Sequence, residues 1–367
     1  MVNNRKPRIL WLTNLPAPYR FPIWDRMAES CDLKVVFLLG EKNWRNWNVN
    51  QERTWSYEFL ELTSVHLNDL DLIPGFLGVE KILKNIDLLI LGGWETPFYI
   101  RASRLAKKKK IKVIQFYEST MNSHRFDNFL VRKIRSSLMS NADLVITIGQ
   151  DSTSAVQAMG VTSHKILTLF NPADVKWFQE FAQNQPRQKV LGHHFIYVGQ
   201  LIKRKNVENI ILSFAAIKNS RDTLTIVGDG LLFANLKKLV ASHGLSDSVF
   251  FTGHLNKEEL AKVYSKSNTL ILASTNEVWG LVVSEALASG LHVVVSDKCG
   301  VVEHVRNMPG VFVCSPNQES IQNAMKYSSK KWNGHIQEPQ ILQFTPEKFA
   351  DAVVDFLKFS NDFKLPD

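Results

Sequence analysis

Short apolar runs alternate with stretches of helical spacing along most of the chain, and this alternation constrains the fold more than any other feature. The pattern begins again after residue 190, so the chain has two similar halves. Alternation of this kind is typical of a parallel sheet with helices on both faces. It predicts an α/β protein with two Rossmann-like domains. The predicted strands are Ile9–Thr13, Lys34–Leu39, Asp87–Leu91, Val113–Tyr117 and Leu144–Ile148, then Phe195–Gly199, Thr223–Val227, Val249–Thr252, Thr269–Ala273, His292–Ser296 and Gly310–Cys314.

The domain boundaries follow from this repeat. A chain of 367 residues is long enough for two cores. We predict domains over residues 1–170 and 190–344, joined by a linker over 171–189 that is polar and contains two prolines. A helix over about residues 345–367, with Pro346 at its first position, can return to the first domain. Ligands bind beyond the carboxyl ends of parallel strands, so the functional site is expected in a cleft that both sheets face.

Composition excludes several classes of protein. Three cysteines do not make a disulfide framework, and no apolar run approaches the roughly 18 residues of a membrane span. A cytoplasmic protein is expected. Residues 1–170 hold 23 lysines and arginines against 16 acidic residues, including the run Lys107–Lys110. That run is either a solvated helix end or a patch for an anionic membrane surface. No nucleic-acid-binding motif accompanies the charge, so nucleic acid is not an expected partner.

Two glutamates, Glu277 and Glu285, flank a glycine turn that leads into a predicted helix. Gly280 opens that helix, so the first amides, those of Leu281 and Val282, lack partners within it. Free amides at the positive end of a helix bind phosphate. The two carboxylates are then placed to meet the sugar and the ribose of a nucleotide sugar.

Two more loops leave predicted strands in the second half with glycine and basic residues. One runs from Gly199 through Gln200 and Arg204 to Lys205; the other holds Gly228 and Gly230. Glycine lets a backbone approach a pyrophosphate, and lysine neutralises one. Taken singly, each is equally compatible with a common turn or a solvated loop.

The order of these motifs resembles the donor domain of the retaining family-four glycosyltransferases of the GT-B fold. The family's Gly-Arg-Leu and Lys-Gly pattern is similar to Gly199–Leu201 and Lys205-Asn206. Its further glycine motifs resemble Val227–Gly230 and Phe250–Gly253, and its pair of glutamates resembles Glu277 and Glu285. Asn171–Asp174 resembles the family's segment between the domains. The match covers roughly residues 140–315 well and the start of the chain loosely.

The resemblance implies a role for each of these positions. Lys205 is expected to hold the leaving diphosphate, Glu285 the ribose hydroxyls, and Glu277 the transferred sugar. Amides of Gly280, Leu281 and Val282 are expected to bind the phosphates. The further donor-binding residues are Gly199, Gln200, Gly228, Gly230 and Gly253. The family retains anomeric configuration and typically needs neither a metal nor another cofactor.

Two departures from the family pattern concern the sugar-facing part of the site. The family's diphosphate-binding arginine is Gln200 here, and Arg204 or Lys203 can supply the missing cation. The family's acceptor-side histidine is also absent from its usual position after an N-terminal strand. Glu118 and His124 are the candidates to replace it.

The first half also carries candidate acceptor-binding residues where strands end. Tyr19 and Arg20 follow the first strand, and Trp94 follows the third. We therefore expect transfer of a sugar from a nucleotide-diphosphate donor to a saccharide or glycolipid hydroxyl in cell-surface polysaccharide assembly. The inner face of the membrane is the expected place of this reaction. The alternatives are a catalytically silent nucleotide-sugar-binding partner and another GT-B enzyme, an epimerase or a phosphorylase.

Overall fold

The structure, a computed structural model, describes residues 5–39, 53–60, 65–67, 70–72, 78–120, 128–185 and 191–359. The chain forms two units. The first unit comprises Met1–Phe170 together with Pro346–Asp367, and the second is Asn171–Thr345.

The first unit is built on a parallel sheet of seven strands in the order β3-β2-β1-β6-β7-β8-β9. A short antiparallel pair, β4 and β5, stands apart from it. The strands are β1 (Arg8–Thr13), β2 (Asp32–Phe37), β3 (Ser56–Phe59), β4 (Val65–Leu67), β5 (Leu70–Leu72), β6 (Leu88–Leu91), β7 (Lys112–Tyr117), β8 (Leu144–Ile148) and β9 (Ile166–Leu169).

Helices of the first unit connect and cover these strands. They are α1 (Phe21–Ser30), α2 (Val79–Ile82), α3 (Pro97–Lys108), α4 (Phe129–Asn141), α5 (Gly149–Ala158) and, from the end of the chain, α13 (Pro346–Phe359). Helix α13 packs on α1 and the sheet: Arg26 is paired with Asp351 at 2.8 Å, and the Phe349 ring lies 6.2 Å from that of Phe116.

The second unit has a parallel sheet of six strands in the order β12-β11-β10-β13-β14-β15. Its strands are β10 (His194–Val198), β11 (Thr223–Val227), β12 (Val249–Gly253), β13 (Thr269–Leu272), β14 (His292–Ser296) and β15 (Val311–Cys314). Its helices are α6 (Val175–Gln183), α7 (Val207–Ile217), α8 (Phe233–Ser242), α9 (Lys257–Tyr264), α10 (Leu281–Ala288), α11 (Val302–Val305) and α12 (Gln318–Lys331).

Each sheet has interior strands that are buried along their whole length. Every residue of β8 and every residue of β14 is buried. A strand buried on both faces reads as a continuous apolar run, which is why these segments are recognisable in the sequence. The predicted strands are confirmed, with ends that shift by one or two residues.

Each sheet reverses its strand order beside its first strand. β1 lies between β2 and β6, and β10 lies between β11 and β13. In open α/β sheets such a reversal leaves a crevice beyond the carboxyl ends of the strands, where ligands bind. The loops that follow β1, β6, β10 and β13 are therefore where function is expected.

The predicted linker is partly helical. Within residues 171–189 the structure has α6, and its Val175 and Phe178 are buried within the second unit. The Phe178 ring packs 5.9 Å from that of Tyr264. The apolar spacing of this helix, and not its polar flank, decides its place; residues 186–190 lie outside the described part of the chain.

No helix among the described residues is long and apolar enough to cross a membrane.

Candidate functional site

The loops after β10 and β11 are joined backbone to backbone. The Gly199 N–H donates to the Val227 carbonyl at 3.0 Å, and the Leu201 N–H donates to the Asp229 carbonyl at 2.9 Å. A Cβ at Gly228 would lie 2.0 Å from the Gly199 carbonyl oxygen, and its φ of +127° already disfavours other residues. Gly228 is thus needed first for the fit of the two loops to each other.

The loop after β10 continues into a single 3-10 turn, Lys203–Lys205, and a residue in left-handed conformation, Asn206 with φ of 59°. Asparagine adopts this conformation more readily than most residues. Its side chain donates to the carbonyls of Ala273 and Pro316 at 3.0 and 2.8 Å. This explains how Asn206 occupies a position that resembles a glycine in the family pattern, and it fixes the turn that presents Lys205.

Lys205 and Glu277, 72 residues apart in sequence, form an ion pair in which the Lys205 ammonium contacts Glu277 Oε2. Each side chain is only 12% exposed. Ser274 Oγ donates to the same carboxylate oxygen at 3.2 Å, and Arg204 Nη1 lies 3.6 Å from it. Two cations therefore surround one carboxylate, which leaves a net positive charge beside the loops after β10 and β13.

Gln200, Lys203 and Arg204 are all exposed, and of the three Arg204 lies beside Glu277. Arg204 Nη1 donates to the Asn276 carbonyl at 3.2 Å, and its own carbonyl accepts from the Thr275 N–H at 2.8 Å. The loop after β10 is thus bonded to the loop after β13. Of the two cations predicted to compensate for Gln200, Arg204 is the one that contacts Glu277.

Helix α10 begins as predicted. Gly280, with φ of 105°, is the residue before its first turn, and the helix spans eight residues from Leu281. The first amides of a helix have no carbonyl one turn earlier, so those of Leu281 and Val282 are suited to an anion. The turn is held by the Gly300 N–H, which donates to the Glu277 carbonyl at 3.0 Å.

Glu285 lies in α10 on the side of Tyr264, the last residue of α9. The Tyr264 hydroxyl donates to Glu285 Oε2 at 3.2 Å. Burial disfavours the charged carboxylate and raises the pKa of Glu285 to about 7. Further hydroxyl groups that donate to this half-buried carboxylate would stabilise its charged form. Tyr264 was not predicted as part of the site.

In the first unit, Arg20 and Glu118 form an ion pair. Arg20 Nη2 lies 2.9 Å from Glu118 Oε2, and the Arg20 side chain is 7% exposed. Its guanidinium carbon sits 4.4 Å from the centre of the Phe116 ring and 5.5 Å from that of Tyr19. The predicted acceptor residues Tyr19 and Arg20 and the predicted catalytic candidate Glu118 therefore form one cluster at the ends of β1 and β7.

A second cluster follows β6. Asn14 Nδ2 donates to Glu95 Oε1 at 2.9 Å, and the Tyr99 hydroxyl donates to Asn14 Oδ1 at 2.7 Å. Trp94, a predicted acceptor residue, donates its backbone N–H to Glu95 Oε2 at 2.8 Å and stacks its ring 4.6 Å from the Arg135 guanidinium. Asn14 and Glu95 were not predicted as site residues. Asn14 directly follows β1 and Glu95 is the fourth residue after β6, and a polar side chain just beyond an apolar strand is the signal that could have identified them.

His124 and Gly253 are the remaining predicted site residues. His124 lies outside the described residues. The Gly253 carbonyl accepts a hydrogen bond from the Gly228 N–H at 2.8 Å, which connects the loops after β11 and β12. Among the described ranges, no three His, Cys, Asp or Glu side chains gather closely enough to hold a metal ion.

Comparison with known proteins agrees with this geometry. Residues 178–335 match the family described as glycosyl transferases group 1. An uncharacterised glycosyltransferase of Methanocaldococcus jannaschii is 31% identical over 128 residues, which are 34% of this chain and 33% of that protein. The O-antigen chain mannosyltransferase RfbU of Salmonella typhimurium is 27% identical over 173 residues, 47% of each chain. This chain spans less than half the length of these curated relatives.

Structural similarity extends over nearly the whole chain. The structure of Anabaena HepE in complex with UDP has a TM-score of 0.74, with 16% identity, and the match covers 96% of this chain and 99% of that one. At this level of identity the likeness establishes the fold. Residues 178–335 therefore resemble the group 1 glycosyl transferases, and the chain has the GT-B fold.

Proposed function

We propose that this protein transfers a sugar from a nucleoside-diphosphate sugar to a hydroxyl group of a saccharide or lipid-linked acceptor. The observation that carries the proposal is the placement of Lys205 and Arg204 around Glu277, after β10 and β13. A cationic site near the amides that open α10 suits a leaving diphosphate. Polysaccharide assembly is the proposed setting, since a similar protein is named as an O-antigen chain mannosyltransferase.

The reaction is proposed to retain the configuration at the anomeric carbon. The bond from that carbon to the diphosphate oxygen breaks, and the acceptor oxygen forms the new bond on the same face. The acceptor proton passes to the departing diphosphate. Lys205, Arg204 and the amides of Leu281 and Val282 stabilise the charge that develops on the diphosphate, so the protein itself supplies what a metal ion supplies elsewhere.

The remaining residues divide between the two substrates. Glu285 accepts hydrogen bonds from the ribose hydroxyls, as carboxylates do in other nucleotide-binding α/β folds. Glu277 faces the transferred sugar. In the first unit, Tyr19, Arg20, Trp94 and Glu118 are proposed to contact the acceptor. We further propose a cytoplasmic protein that works at the inner face of a membrane.

The proposal is tested by measuring the melting temperature of the full chain with a panel of UDP, GDP, ADP and TDP sugars. A donor present at about 100 times its Kd stabilises the folded state by about 2.7 kcal/mol. The stabilising donor is then incubated with saccharide and lipid-linked acceptors, and release of nucleoside diphosphate is measured with product formation. If no nucleotide sugar stabilises the chain, the donor site is wrongly assigned. Binding with neither transfer nor hydrolysis identifies a silent binding partner instead.

Arg204 is expected to replace the cation that is absent at Gln200. Arg204→Ala should lower turnover about 10- to 100-fold, the range for one lost hydrogen bond to a charged group. Adding Gln200→Arg to Arg204→Ala should restore most of the loss, since it returns a guanidinium to the diphosphate. Lys203→Ala, in the same turn and exposed like Arg204, is the matched control and should leave turnover within about twofold. A double variant as slow as Arg204→Ala contradicts this compensation.

Nucleotide affinity should depend on pH through Glu285. Its pKa of about 7 lies above the ordinary value of 4.5, so the carboxyl group is mostly neutral below pH 7 in the free protein. Ribose hydroxyls donate to the ionised form, so binding strengthens as pH rises; from about pH 6 to pH 8 we expect a gain of about tenfold. The folding stability of the ligand-free protein has the opposite pH dependence. The stability that Glu285 contributes at low pH is lost as the pH rises through 7.

Calorimetric titration with a nucleoside diphosphate measures this effect. Glu285→Gln is isosteric and has no such titration, so its profile reports the ionisation of the phosphates alone. The difference between the two profiles is the contribution of Glu285. Identical profiles for the native chain and the variant would remove Glu285 from the ribose site.

A further inference from the structure

Helices α3 and α4 of the first unit enclose a surface pocket of about 570 Å³, and none of the candidate site residues described above lines it. Its walls combine aliphatic and cationic side chains. The aliphatic ones include Ile100, Leu130 and Ile134, and the cationic ones are Arg104, Lys107 and Lys133. This combination suits an anionic group attached to an apolar body.

The charge around the pocket is strongly positive. Lys108, Lys109 and Lys110 are exposed at the end of α3, and Arg104 and Lys133 are exposed at the pocket itself. Asp143 is paired with Lys107 at 2.7 Å and lies 3.8 Å from Lys112, so this carboxylate is already shared by two lysines. Glu80, a further acidic residue near α3, is paired with Arg101 at 2.6 Å. Among the described residues around the pocket, an excess of cations therefore faces solvent.

Beside these cations the first turn of α4 exposes two large apolar side chains. Phe129 is 74% exposed and Leu130 is 65% exposed. Leu130 and Ile134, four positions apart, lie on one side of the helix and both line the pocket. Exposed aromatic and aliphatic groups next to lysines and arginines are typical of helices that lie in a membrane interface.

We propose that the α3–α4 face, defined by Arg104, Lys107–Lys110, Phe129, Leu130 and Lys133, docks on an anionic phospholipid bilayer. The pocket receives a lipid phosphate between Arg104, Lys107 and Lys133, while Phe129 and Leu130 enter the interface. Charge complementarity selects the partner, and the two exposed apolar side chains favour a bilayer over a soluble polyanion. This face is where the membrane contact of the proposed function would lie, so it rests on that proposed setting but not on chemistry at Lys205.

The test is co-sedimentation of the full chain with vesicles of phosphatidylcholine alone or with about a third phosphatidylglycerol. Each cation near an anionic surface strengthens binding about fivefold, so Arg104→Gln/Lys133→Gln should weaken binding about 25-fold. Lys238→Gln/Lys326→Gln removes two exposed helical lysines of the second unit and is the matched control, expected to bind like the native chain. Phe129→Ser/Leu130→Ser should weaken binding at least tenfold, at both low and high salt.

Melting curves of each variant report whether it is folded, and the replaced side chains are exposed. Vesicle binding should be unaffected by Lys205→Ala, so failure here is separable from failure of the proposed transfer. Equal binding to neutral and anionic vesicles overturns the proposal. So does an equal loss of vesicle binding in Arg104→Gln/Lys133→Gln and in its control, Lys238→Gln/Lys326→Gln. If heparin binds as tightly as vesicles and Phe129→Ser/Leu130→Ser changes neither, the face binds polyanions and not a bilayer.

Discussion

Lys205→Ala is expected to lower the rate of sugar transfer about 100- to 1000-fold, the cost of removing one preorganised group that stabilises a developing charge. Lys205 is the cation held most firmly in the site: it is 12% exposed and lies against Glu277. The loss should be larger in kcat than in donor affinity, because the charge on the diphosphate is greatest as its bond to the sugar breaks. Steady-state kinetics with the donor identified by thermal shift measure the effect.

The control for this variant is Lys203→Ala, which removes an equal charge from the same 3-10 turn. Lys205→Ala leaves Glu277 in contact with Arg204 and Ser274, so the site keeps a positive partner for that carboxylate. We therefore expect a folded protein, which a melting curve verifies. A Lys205→Ala variant that turns over at the rate of Lys203→Ala would falsify the role of Lys205 in the departure of the diphosphate.

Glu277→Gln should separate catalysis from nucleotide binding. Transfer is expected to fall about 100-fold, because the variant cannot hold Lys205 and the sugar in their relative positions. Affinity for a nucleoside diphosphate should stay equal or rise several-fold, since Lys205 no longer shares its charge with a carboxylate that repels phosphate. Calorimetric titration gives the affinity, and single-turnover kinetics give the rate.

Lys205→Ala provides the contrast, because it should weaken both nucleotide binding and transfer. Glu303→Gln changes an exposed glutamate in α11 and is a suitable charge-matched control for Glu277→Gln. If Glu277→Gln loses nucleotide affinity in parallel with turnover, the carboxylate supports the structure of the loop and has no separate role with the sugar.

Strands that are buried on both faces could be predicted because their composition is nearly all apolar. Of the strands in the first sheet, β3 and β9 were missed, and they are its two edge strands. Each has only four residues and no buried one, and a polar residue, Glu58 in β3 and Thr168 in β9, interrupts its apolar residues. Helix α6 was missed for a related reason. Its buried face consists of Val175 and Phe178, within a stretch whose polar end favours a linker.

In the candidate site, too, local features could be predicted and tertiary contacts could not. Gly280 and the start of α10 could be predicted because they depend on local backbone geometry. The contact of Lys205 with Glu277 could not, because it joins residues 72 positions apart through the packing of two loops. The bonds from Tyr264 to Glu285 and from Asn14 to Glu95 likewise depend on elements that meet only in the folded protein. Sequence motifs predict the members of the candidate site, and tertiary packing determines which of them are in contact.

The position of α13 in the first unit bears on the order in which the protein can be completed on the ribosome. Asn171–Thr345 is one continuous stretch, so the second unit has all its residues once Thr345 has emerged. The sheet of the first unit is synthesised earlier, but Phe349 can pack on Phe116, and Asp351 can pair with Arg26, only after α13 has been synthesised. Nascent chains expose such unfinished apolar surface to chaperones and to aggregation. The half of this protein that is made first is therefore the half that is finished last.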